Sequence, residues 1–312
     1  MAGDAGRRSG VTLTTRFAPS PTGPLHLGHA YSALLAHDMA RAEDGRFLLR
    51  IEDIDPARCR PEWEARIIDD LTWLGIRWDA EPMRQSERHA AYGSALDDLW
   101  CRHLLFGCSC TRRDIADALS APQEDGAPII GPDGPVYPGT CAPDDPAAPR
   151  PSVRPTHCHL RLDMTAALIA CQEQIATPSA DDPGLAFTET GPHHHGRVVT
   201  PPTFYRDHIG DIVLARKDFG TSYHLSVVLD DAAQGITHVV RGEDLFEATR
   251  IHVLLQHLLG LATPVYYHHG LIRDDSGRRL AKRDDARALA KYRSEGATPD
   301  DIRRMVGLRP SS

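Results

Sequence analysis

Two histidines three positions apart follow a predicted strand, and together they could bind phosphate. His26 and His29 stand near the start of a helix that the residue pattern predicts over 25–42. Residues three apart share one helix face, and a helix start adds unpaired N–H groups and the positive end of its dipole. Gly28 lets a flat ligand approach the backbone closely. This arrangement predicts a phosphate site, although a His-x-x-His pair by itself is more often a surface pair or half of a metal site.

A run of basic residues near the end of the chain is a second candidate for contact with phosphate. Residues 277–283 have the sequence GRRLAKR and follow the last predicted strand, at 265–268. The run includes Arg279 and Lys282, and it belongs to a basic patch that could contact the phosphates of RNA. By itself, a run of this kind is more often a solvated basic turn. The phosphate interpretation therefore depends on what surrounds it.

Three cysteines could hold zinc. Cys108 and Cys110 form a C-x-C pair, and Cys141 follows a Pro-Gly turn. A closed tetrahedral zinc site needs a fourth ligand, for which chemistry alone nominates His157, Cys158 and His159. The chain has seven cysteines, an odd number, and no export signal, so thiols or metal ligands are expected rather than disulfides. Reduced cysteines without a metal are the alternative.

The elements that must position these residues form two separate strand, helix, strand units. The first has a strand over 11–17, the helix over 25–42, a strand over 47–51 and a helix from Pro61 to a glycine cap at Gly75. The second has a strand over 238–241, an apolar helix over 244–259 and a strand over 265–268. Together they predict an α/β fold with a doubly wound parallel sheet of the Rossmann type, whose ligands bind at the carboxyl ends of strands.

The chain between the two units is predicted to be an insertion. Residues 106–202 are rich in Pro, Gly, Asp and His, and loops are expected over 120–135 and 177–197. The Rossmann-type domain is therefore expected to comprise 11–105 and 203–270. The basic run and a short helical segment occupy 271–312.

Composition excludes several classes of protein. The chain has 312 residues, 41% hydrophobic and 25% charged, which is typical of a globular protein rather than a disordered one. No apolar run is long enough to cross a membrane, and the amino terminus lacks the apolar stretch of a secretory signal. We therefore expect a cytoplasmic protein without membrane contact. A monomer is a separate expectation that composition does not test. The net charge of −8 means that any RNA contact must use a local basic patch.

The string RFAPSPTGPLHLGH, over residues 16–29, is far more specific than the histidine pair alone. It resembles the HIGH-type signature of class I aminoacyl-tRNA synthetases, and in particular of their glutamyl branch. The resemblance covers nearly the whole chain. It implies that His26, Gly28 and His29 bind ATP, and that the two histidines stabilise the pentavalent transition state at the α-phosphate.

The basic run is similar to the KMSKS-type loop of the same family. The resemblance gives Lys282 the task of neutralising the triphosphate while the adenylate forms. Arg279, which would also bind ATP, stands where a lysine is usual, and Ala281 stands where a serine is usual. The first change keeps the charge and the second loses a hydroxyl group.

The resemblance also implies a pocket for L-glutamate. Glutamate has two carboxylates and an ammonium group, so its pocket needs cationic forks and at least one acid. Glu52 would accept hydrogen bonds from the ammonium, and the arginines would bind the carboxylates in an assignment that stays open. The implied pocket residues are Arg16, Phe17, Ala18, Pro19, Ser20, Glu52, Tyr223 and Arg241.

Within the glutamyl branch, the chain is most similar to the glutamyl-Q tRNA(Asp) synthetases. Their C-x-C and Y-x3-C pattern matches Cys108, Cys110, Tyr137 and Cys141, which implies a structural Zn2+ with tyrosine as its fourth ligand. Only about thirty residues follow the basic run, whereas a glutamyl-tRNA synthetase continues into an anticodon-binding region. The family's reaction makes the chain a ligase: glutamate is activated by ATP with Mg2+, without tRNA, and is then transferred to queuosine at the wobble position of tRNA(Asp).

Two other functions stay open. One is a truncated glutamyl-tRNA synthetase that charges the 3′ end of tRNA. The other is a non-catalytic paralogue that binds RNA. The second is disfavoured because a binding module has no use for the phosphate-binding residues His26, His29 and Lys282.

Overall fold

Three parallel strands form the first half of the central sheet, in the order β1, β2, β3. In this computed structural model, which describes residues 12–120, 128–143, 145, 150–174, 184–272 and 287–310, they alternate with helices. Each strand therefore returns parallel to the one before it. The first two strands and both helices were predicted, whereas the third strand was not. The elements are β1 (Thr14–Phe17), α1 (Leu27–Ala42), β2 (Arg46–Ile51), α2 (Pro61–Trp73) and β3 (Met83–Arg84).

The second half of the sheet has four strands, in the order β11 (His238–Gly242), β12 (Val265–His269), β8 (Leu185–Glu189) and β9 (Gly196–Thr200). The predicted strands at 238–241 and 265–268 are present as β11 (His238–Gly242) and β12 (Val265–His269), and they pair in parallel. The helix between them, α8 (Thr249–Leu258), begins later than predicted because residues 243–245 form a 3-10 turn instead.

The loop predicted over 177–197 is wrong for part of its length. Residues 184–197 include the strand β8 (Leu185–Glu189), which is parallel to β12, and the start of its antiparallel partner β9 (Gly196–Thr200). Only Leu185 and Phe187 provide buried apolar side chains in β8, which is too few for a recognisable alternation. The predicted insertion, over 106–202, therefore wrongly included two strands of the central sheet, β8 and β9.

Strands β1 and β11 lie side by side and join the two halves. The Thr237 backbone N–H donates to the Thr14 carbonyl oxygen at 3.0 Å, and the Thr14 N–H donates to Thr237 Oγ1 at 2.8 Å. The first βαβ unit leads away from β1 on one side, and β12 and β8 extend from β11 on the other. The carboxyl ends of β1 and β11 therefore meet where the strand order reverses, which is the place at which open α/β sheets bind ligands.

The insertion is built on a second, antiparallel sheet of order β10, β7, β4 and a small hairpin. The hairpin at 130–135 corrects the expectation of a loop there, and β10 lies beyond the predicted boundary at 202. The elements are β4 (Leu105–Cys108), α4 (Arg112–Ser120), β5 (Ile130–Gly131), β6 (Gly134–Pro135), β7 (His159–Leu162), α5 (Met164–Gln174) and β10 (Val213–Ala215).

Apolar packing joins the insertion to the second half of the sheet. One buried cluster runs from Leu105 and Leu162 to Leu254, whereas a second cluster, around Leu34 and Leu71, lies beneath the first half. The remaining helices are α3 (His89–Cys101), α6 (Pro202–Phe204), α7 (Tyr223–Ala233), α9 (Leu289–Ser294) and α10 (Pro299–Met305). Among the described residues, no helix has the length and apolar character needed to cross a membrane.

Asp70 on α2 is a buried carboxylate, 4% exposed, with no hydrogen-bond partner among the described residues. Burial, together with the adjacent Asp69, raises the pKa of Asp70 to about 6, against the opposing effect of Arg293 and Arg66. The folded chain therefore binds a proton there at a pH where the unfolded chain, with an ordinary pKa of about 3.9, does not. As pH rises through this window the free energy of unfolding falls, and the penalty is complete above about pH 6.

We expect Asp70→Asn to stabilise the fold at pH 7 by about 1–2 kcal/mol, after allowance for solvent screening, because the charge is removed while the shape is kept. Thermal unfolding at pH 7 and pH 4 measures this, and the gain should shrink at pH 4. The control is Asp98→Asn, since Asp98 is exposed, is paired with Arg102 at 3.0 Å and is not among the groups that shift the pKa of Asp70. Equal effects of the two variants at pH 7 would contradict the prediction.

Candidate active site

A cleft of about 1500 Å³ lies at the carboxyl ends of β1, β2, β11 and β12. Every described residue that the sequence nominated for ATP or glutamate lines this cleft. Arg279 and Lys282 lie outside the described residues. The lining residues from the predicted set are Arg16, Phe17, Ala18, Pro19, Ser20, His26, Gly28, His29, Glu52, Tyr223 and Arg241.

The two histidines cap the start of α1. The Gly28 N–H donates to His26 Nδ1 and the His26 N–H donates to His29 Nδ1, each at 3.2 Å, and the two rings stack with centroids 3.8 Å apart. Because each Nδ1 accepts a backbone hydrogen bond, each neutral ring must hold its proton on Nε2. The capping arrangement therefore sets both rings in the tautomer that can donate from Nε2, beside the helix start.

The chain on both sides of the basic run lies at this cleft. Ile272, before it, lines the cleft, and Ala288, after it, forms a β-bridge with His26. The Leu289 N–H also donates to the Leu25 carbonyl oxygen at 2.8 Å. Residues 273–286 themselves, with Arg279 and Lys282, lie outside the described residues.

Asp231 on α7 holds two buried arginines from neighbouring strands. Its carboxylate accepts from Arg16 Nε at 3.0 Å and from Arg50 Nη1 at 2.6 Å. Arg50, which is fully buried, also donates to Glu52 Oε1 at 3.2 Å. The cluster therefore contains two cations and two carboxylates, all at the carboxyl ends of β1 and β2.

The pKa values of the two carboxylates in this cluster shift in opposite directions. For Asp231, burial favours the protonated form, but Arg16 and Arg50 outweigh it and lower the pKa. For Glu52, burial prevails over the same two arginines and raises the pKa. Glu52 is thus the carboxylate that a further cation in the cleft would stabilise most.

Arg241, at the end of β11, is held by protein acceptors on three sides. Nε donates to His268 Nε2 at 3.1 Å, and Nη2 donates to Thr249 Oγ1 at 2.7 Å and to the Leu245 carbonyl oxygen at 3.3 Å. Nη1 donates to His252 Nδ1 at 3.2 Å. Tyr223, at the start of α7, packs its ring edge against His252 and completes this wall of the cleft.

The residues that hold the arginines were not nominated from the sequence. Asp231 and its neighbour Asp230 interrupt an apolar helix, and Arg50 interrupts an apolar strand. Buried charges of this kind need partners, so these interruptions were a usable signal for ion pairs inside the fold. His252 and His268 gave no such signal, because their sequence neighbours do not show which side chain each ring contacts.

The four residues predicted to hold zinc lie together at one wall of the cleft. Tyr137 Oη is 3.5 Å from Sγ of both Cys108 and Cys110, and Cys110 Sγ is 3.4 Å from Cys141 Sγ. The three sulfur atoms lie within 4.8 Å of one another. A tetrahedral zinc site with ordinary bond lengths has ligand separations of about 3.5–3.8 Å, so the group has suitable dimensions.

The alternative ligands lie next to this group but are not part of it. His157, Cys158 and His159 line a second cavity, of about 280 Å³, together with Cys108 and Cys110. His159 Nδ1 accepts from the Lys217 N–H at 3.3 Å. Among the described residues, the only cluster of three or more potential metal ligands is that of Cys108, Cys110 and Cys141.

The thiols of the cluster differ in acidity. Burial opposes ionisation of Cys141, but hydrogen bonds from Tyr137, the Ser109 backbone and the two other thiols outweigh it and lower the Cys141 pKa to about 7. Burial raises the pKa of Tyr137. The cluster therefore includes one thiol that readily becomes the thiolate that metals bind.

Comparison with known proteins assigns this arrangement to a family. The family model of the class I tRNA synthetases (E and Q), catalytic domain, matches residues 12–126 and 193–312. The chain belongs to the class I tRNA synthetases. It is therefore a ligase of the aminoacyl-tRNA synthetase type, which confirms the resemblance stated from the sequence and the mixed α/β fold with a parallel sheet.

The curated relatives are similar over nearly the whole chain. The glutamyl-Q tRNA(Asp) synthetase of Rhodobacter capsulatus is 62% identical over 299 residues, which is 95% of this chain and 100% of that protein. The protein of the same name from Rhodopirellula baltica is 39% identical over 95% of this chain and 86% of its own length.

Solved structures show the same fold. A glutamate tRNA ligase from Elizabethkingia meningosepticum, in complex with its amino acid, has a TM-score of 0.71 and 25% identity over 96% of this chain. The glutamate-tRNA synthetase of Elizabethkingia anophelis has a TM-score of 0.72 at the same identity and coverage. The chain spans about three fifths of the length of these two chains, 61% in each case.

Removal of the Asp231 carboxylate should destabilise the fold strongly. In Asp231→Ala, Arg16 and Arg50 would lose their shared partner while they stay buried, and such a loss costs about 3–5 kcal/mol. Chemical denaturation measures it. The control is Asp98→Ala, since Asp98 forms an exposed pair with Arg102 whose loss should cost under about 1 kcal/mol. Equal stability of the two variants would show that Asp231 does not hold the arginines.

Proposed function

We propose that this synthetase activates L-glutamate with ATP, without tRNA, and transfers the glutamyl group to queuosine at the wobble position of tRNA(Asp). One observation supports this most. One cleft is lined by the histidine pair that caps α1, by Glu52 and by two anchored arginines. The chain that forms it is 62% identical to a glutamyl-Q tRNA(Asp) synthetase. The pair suits a nucleotide, and the other three residues suit an amino acid with two carboxylates.

Glutamate would be held by its charges. Glu52 would accept from the substrate ammonium, and that new cation would favour the ionised form of a carboxyl whose pKa burial now raises. Arg16 and Arg241 would donate to the two carboxylates, because each has N–H groups beyond those that bind protein acceptors. Arg50 is fully buried and spans Asp231 and Glu52, so its role would be to position them.

In the first step, an oxygen of the glutamate α-carboxylate would attack the α-phosphorus of ATP. The bond between that phosphorus and the oxygen bridging to the β-phosphate breaks, and pyrophosphate leaves with the electron pair. His26 and His29 would donate from Nε2 to the α-phosphate oxygens, where negative charge grows in the transition state. Mg2+ bound to ATP would neutralise part of the triphosphate charge, as would Lys282 and Arg279.

In the second step, a hydroxyl of the queuosine cyclopentenediol would attack the carbonyl carbon of the glutamyl-adenylate. An ester bond forms, the bond to the phosphate oxygen breaks, and AMP leaves while the hydroxyl loses its proton. The cleft volume of about 1500 Å³ leaves room beside the adenylate for an incoming nucleoside, since ligand pockets for drug-sized molecules measure about 300–1000 Å³.

ATP–pyrophosphate exchange with a panel of amino acids, in the absence of tRNA, tests the first step. Only glutamate should support exchange, because glutamine lacks the second carboxylate and aspartate is one methylene too short. Transfer of labelled glutamate to tRNA(Asp) with and without queuosine tests the second step, and only the modified tRNA should accept it. Equal acceptance by both tRNAs would indicate charging of the 3′ end instead, and no exchange with any amino acid would refute activation.

We also propose that Cys108, Cys110, Tyr137 and Cys141 hold a structural Zn2+. Their spacing is suitable, and the lowered pKa of Cys141 favours a thiolate ligand. The Arg161 guanidinium lies over the Tyr137 ring, 3.7 Å from its centroid, and would keep the phenol directed at the thiols. The zinc would cross-link two parts of the insertion, because its ligands come from the end of β4 and from the segment after β6.

Cys141→Ser should reduce bound zinc from about one ion per chain and lower the melting temperature, while some amino acid activation persists. Metal analysis of the purified protein and thermal unfolding measure this. The matched control is Cys101→Ser, because Cys101 is an exposed free cysteine outside the cluster. Wild-type protein that is purified without chelators and contains no zinc would remove the basis of the proposal.

A further inference from the structure

We propose that Asp133, in the turn of the insertion hairpin, is a positioning residue for glutamate binding. Through hydrogen bonds by way of His224 and His252, it fixes the direction of Arg241. The inference rests on the proposed function, because it assigns Arg241 to a substrate carboxylate. It goes further in making the insertion part of the amino acid site. Asp133 and His224 line the same cleft as Arg241, whereas His252 is buried behind them.

The Arg241 guanidinium has five N–H groups, and protein acceptors take four of them. His268, Thr249 and the Leu245 carbonyl oxygen together accept from Nε and both N–H groups of Nη2. His252 Nδ1 accepts one from Nη1. Among the described residues, the second N–H of Nη1 has no acceptor, so its direction is set by the bond from Nη1 to His252.

The hydrogen bonds beyond Arg241 can run in one direction only. Arginine has no acceptor, so His252 Nδ1 must accept, and its neutral ring must carry its proton on Nε2. That Nε2–H donates to His224 Nδ1 at 3.1 Å, which forces His224 into the same tautomer. The His224 Nε2–H then donates to the Asp133 carboxylate at 3.2 Å. Asp133 is the terminal acceptor of this series, and without it the His224 Nε2–H loses its protein acceptor.

The hairpin that carries Asp133 is seated closely enough to act as a fixed support. A Cβ atom on Gly131 would lie 2.0 Å from the His208 carbonyl oxygen, so the β5 strand approaches the 205–209 turn as only glycine allows. The Val136 N–H donates to the Ile129 carbonyl oxygen at 3.0 Å and closes the hairpin. The hairpin thereby brings Asp133 next to His224, and the Asp133 carboxylate, which is half exposed, accepts from His224 Nε2 at 3.2 Å.

The series serves binding of glutamate and not the chemical step. It ends at an arginine expected to contact a substrate carboxylate, whereas the His26 and His29 rings are oriented by backbone N–H groups at the start of α1. Loss of the terminal acceptor should therefore raise KM for glutamate and leave KM for ATP unchanged. A rise of about tenfold is expected, because one supporting hydrogen bond is lost while the arginine itself stays.

Three substitutions at Asp133 separate acceptor, charge and shape. Asp133→Leu removes the acceptor and keeps the bulk of the side chain, whereas Asp133→Ala removes both. Asp133→Asn keeps an acceptor oxygen without the charge, and it should restore KM for glutamate to within about twofold of the wild type. ATP–pyrophosphate exchange at varied glutamate and varied ATP gives both KM values and kcat. The control is Asp207→Ala, an exposed carboxylate paired with Arg206 on the turn that the hairpin contacts, and it should change neither KM.

The outcomes are distinct. Raised KM for glutamate in the Leu and Ala variants, with rescue by Asn and normal thermal unfolding, supports the inference. Wild-type KM values in both the Leu and Ala variants overturn it, as does an Asn variant as impaired as the Ala variant. Failure of the wild type to exchange with glutamate would refute the proposed function itself, and this result is separate from any effect of Asp133.

Discussion

The Asp231 carboxylate inside α7 is the interaction on which the rest of the site depends. It lies within 3.0 Å of nitrogen atoms from Arg16 on β1 and Arg50 on β2, and all three side chains are buried. Two cations beside each other in a low-dielectric interior would repel each other strongly. One shared anion therefore allows both strands to end in an arginine at the same edge of the sheet, with Glu52 alongside.

The same helix has a second buried acid that serves a different part of the fold. Asp230 accepts from Arg88, Gln85 and Tyr92, at 2.6–2.9 Å, and so ties α7 to the chain that follows β3. Adjacent residues on one helix thus connect the strand ends of the first half with α3. The start of α7, which bears Tyr223, is held in place at the cleft as a consequence.

Both arginines assigned to glutamate are fixed before any ligand binds, but by different partners. Arg16 is anchored by a carboxylate, whereas Arg241 is anchored by imidazoles, a hydroxyl and a backbone carbonyl. His268, one of these imidazoles, has its Nδ1 2.5 Å from the buried Glu189 carboxylate on β8. Side chains held in this way lose little freedom when a substrate binds, which favours affinity and selectivity. The strand β8, which was mistaken for a loop, is therefore part of the support of the site.

Local sequence determined the two βαβ units, the histidine pair at the start of α1 and the candidate cysteines Cys108, Cys110 and Cys141, because these follow from periodicity, helix-start chemistry and short motifs. Tyr137 was added only by the family resemblance. It did not determine β8, whose few inward side chains give no clear alternation and which is stabilised by pairing with β12, about 80 residues later in the chain. Nor did it show that Asp231 joins Arg16 to Arg50, or that Asp133 reaches Arg241 through two histidines. The longest-range of those contacts join residues 91 to 215 positions apart, so they exist only once the sheet and the insertion have packed together.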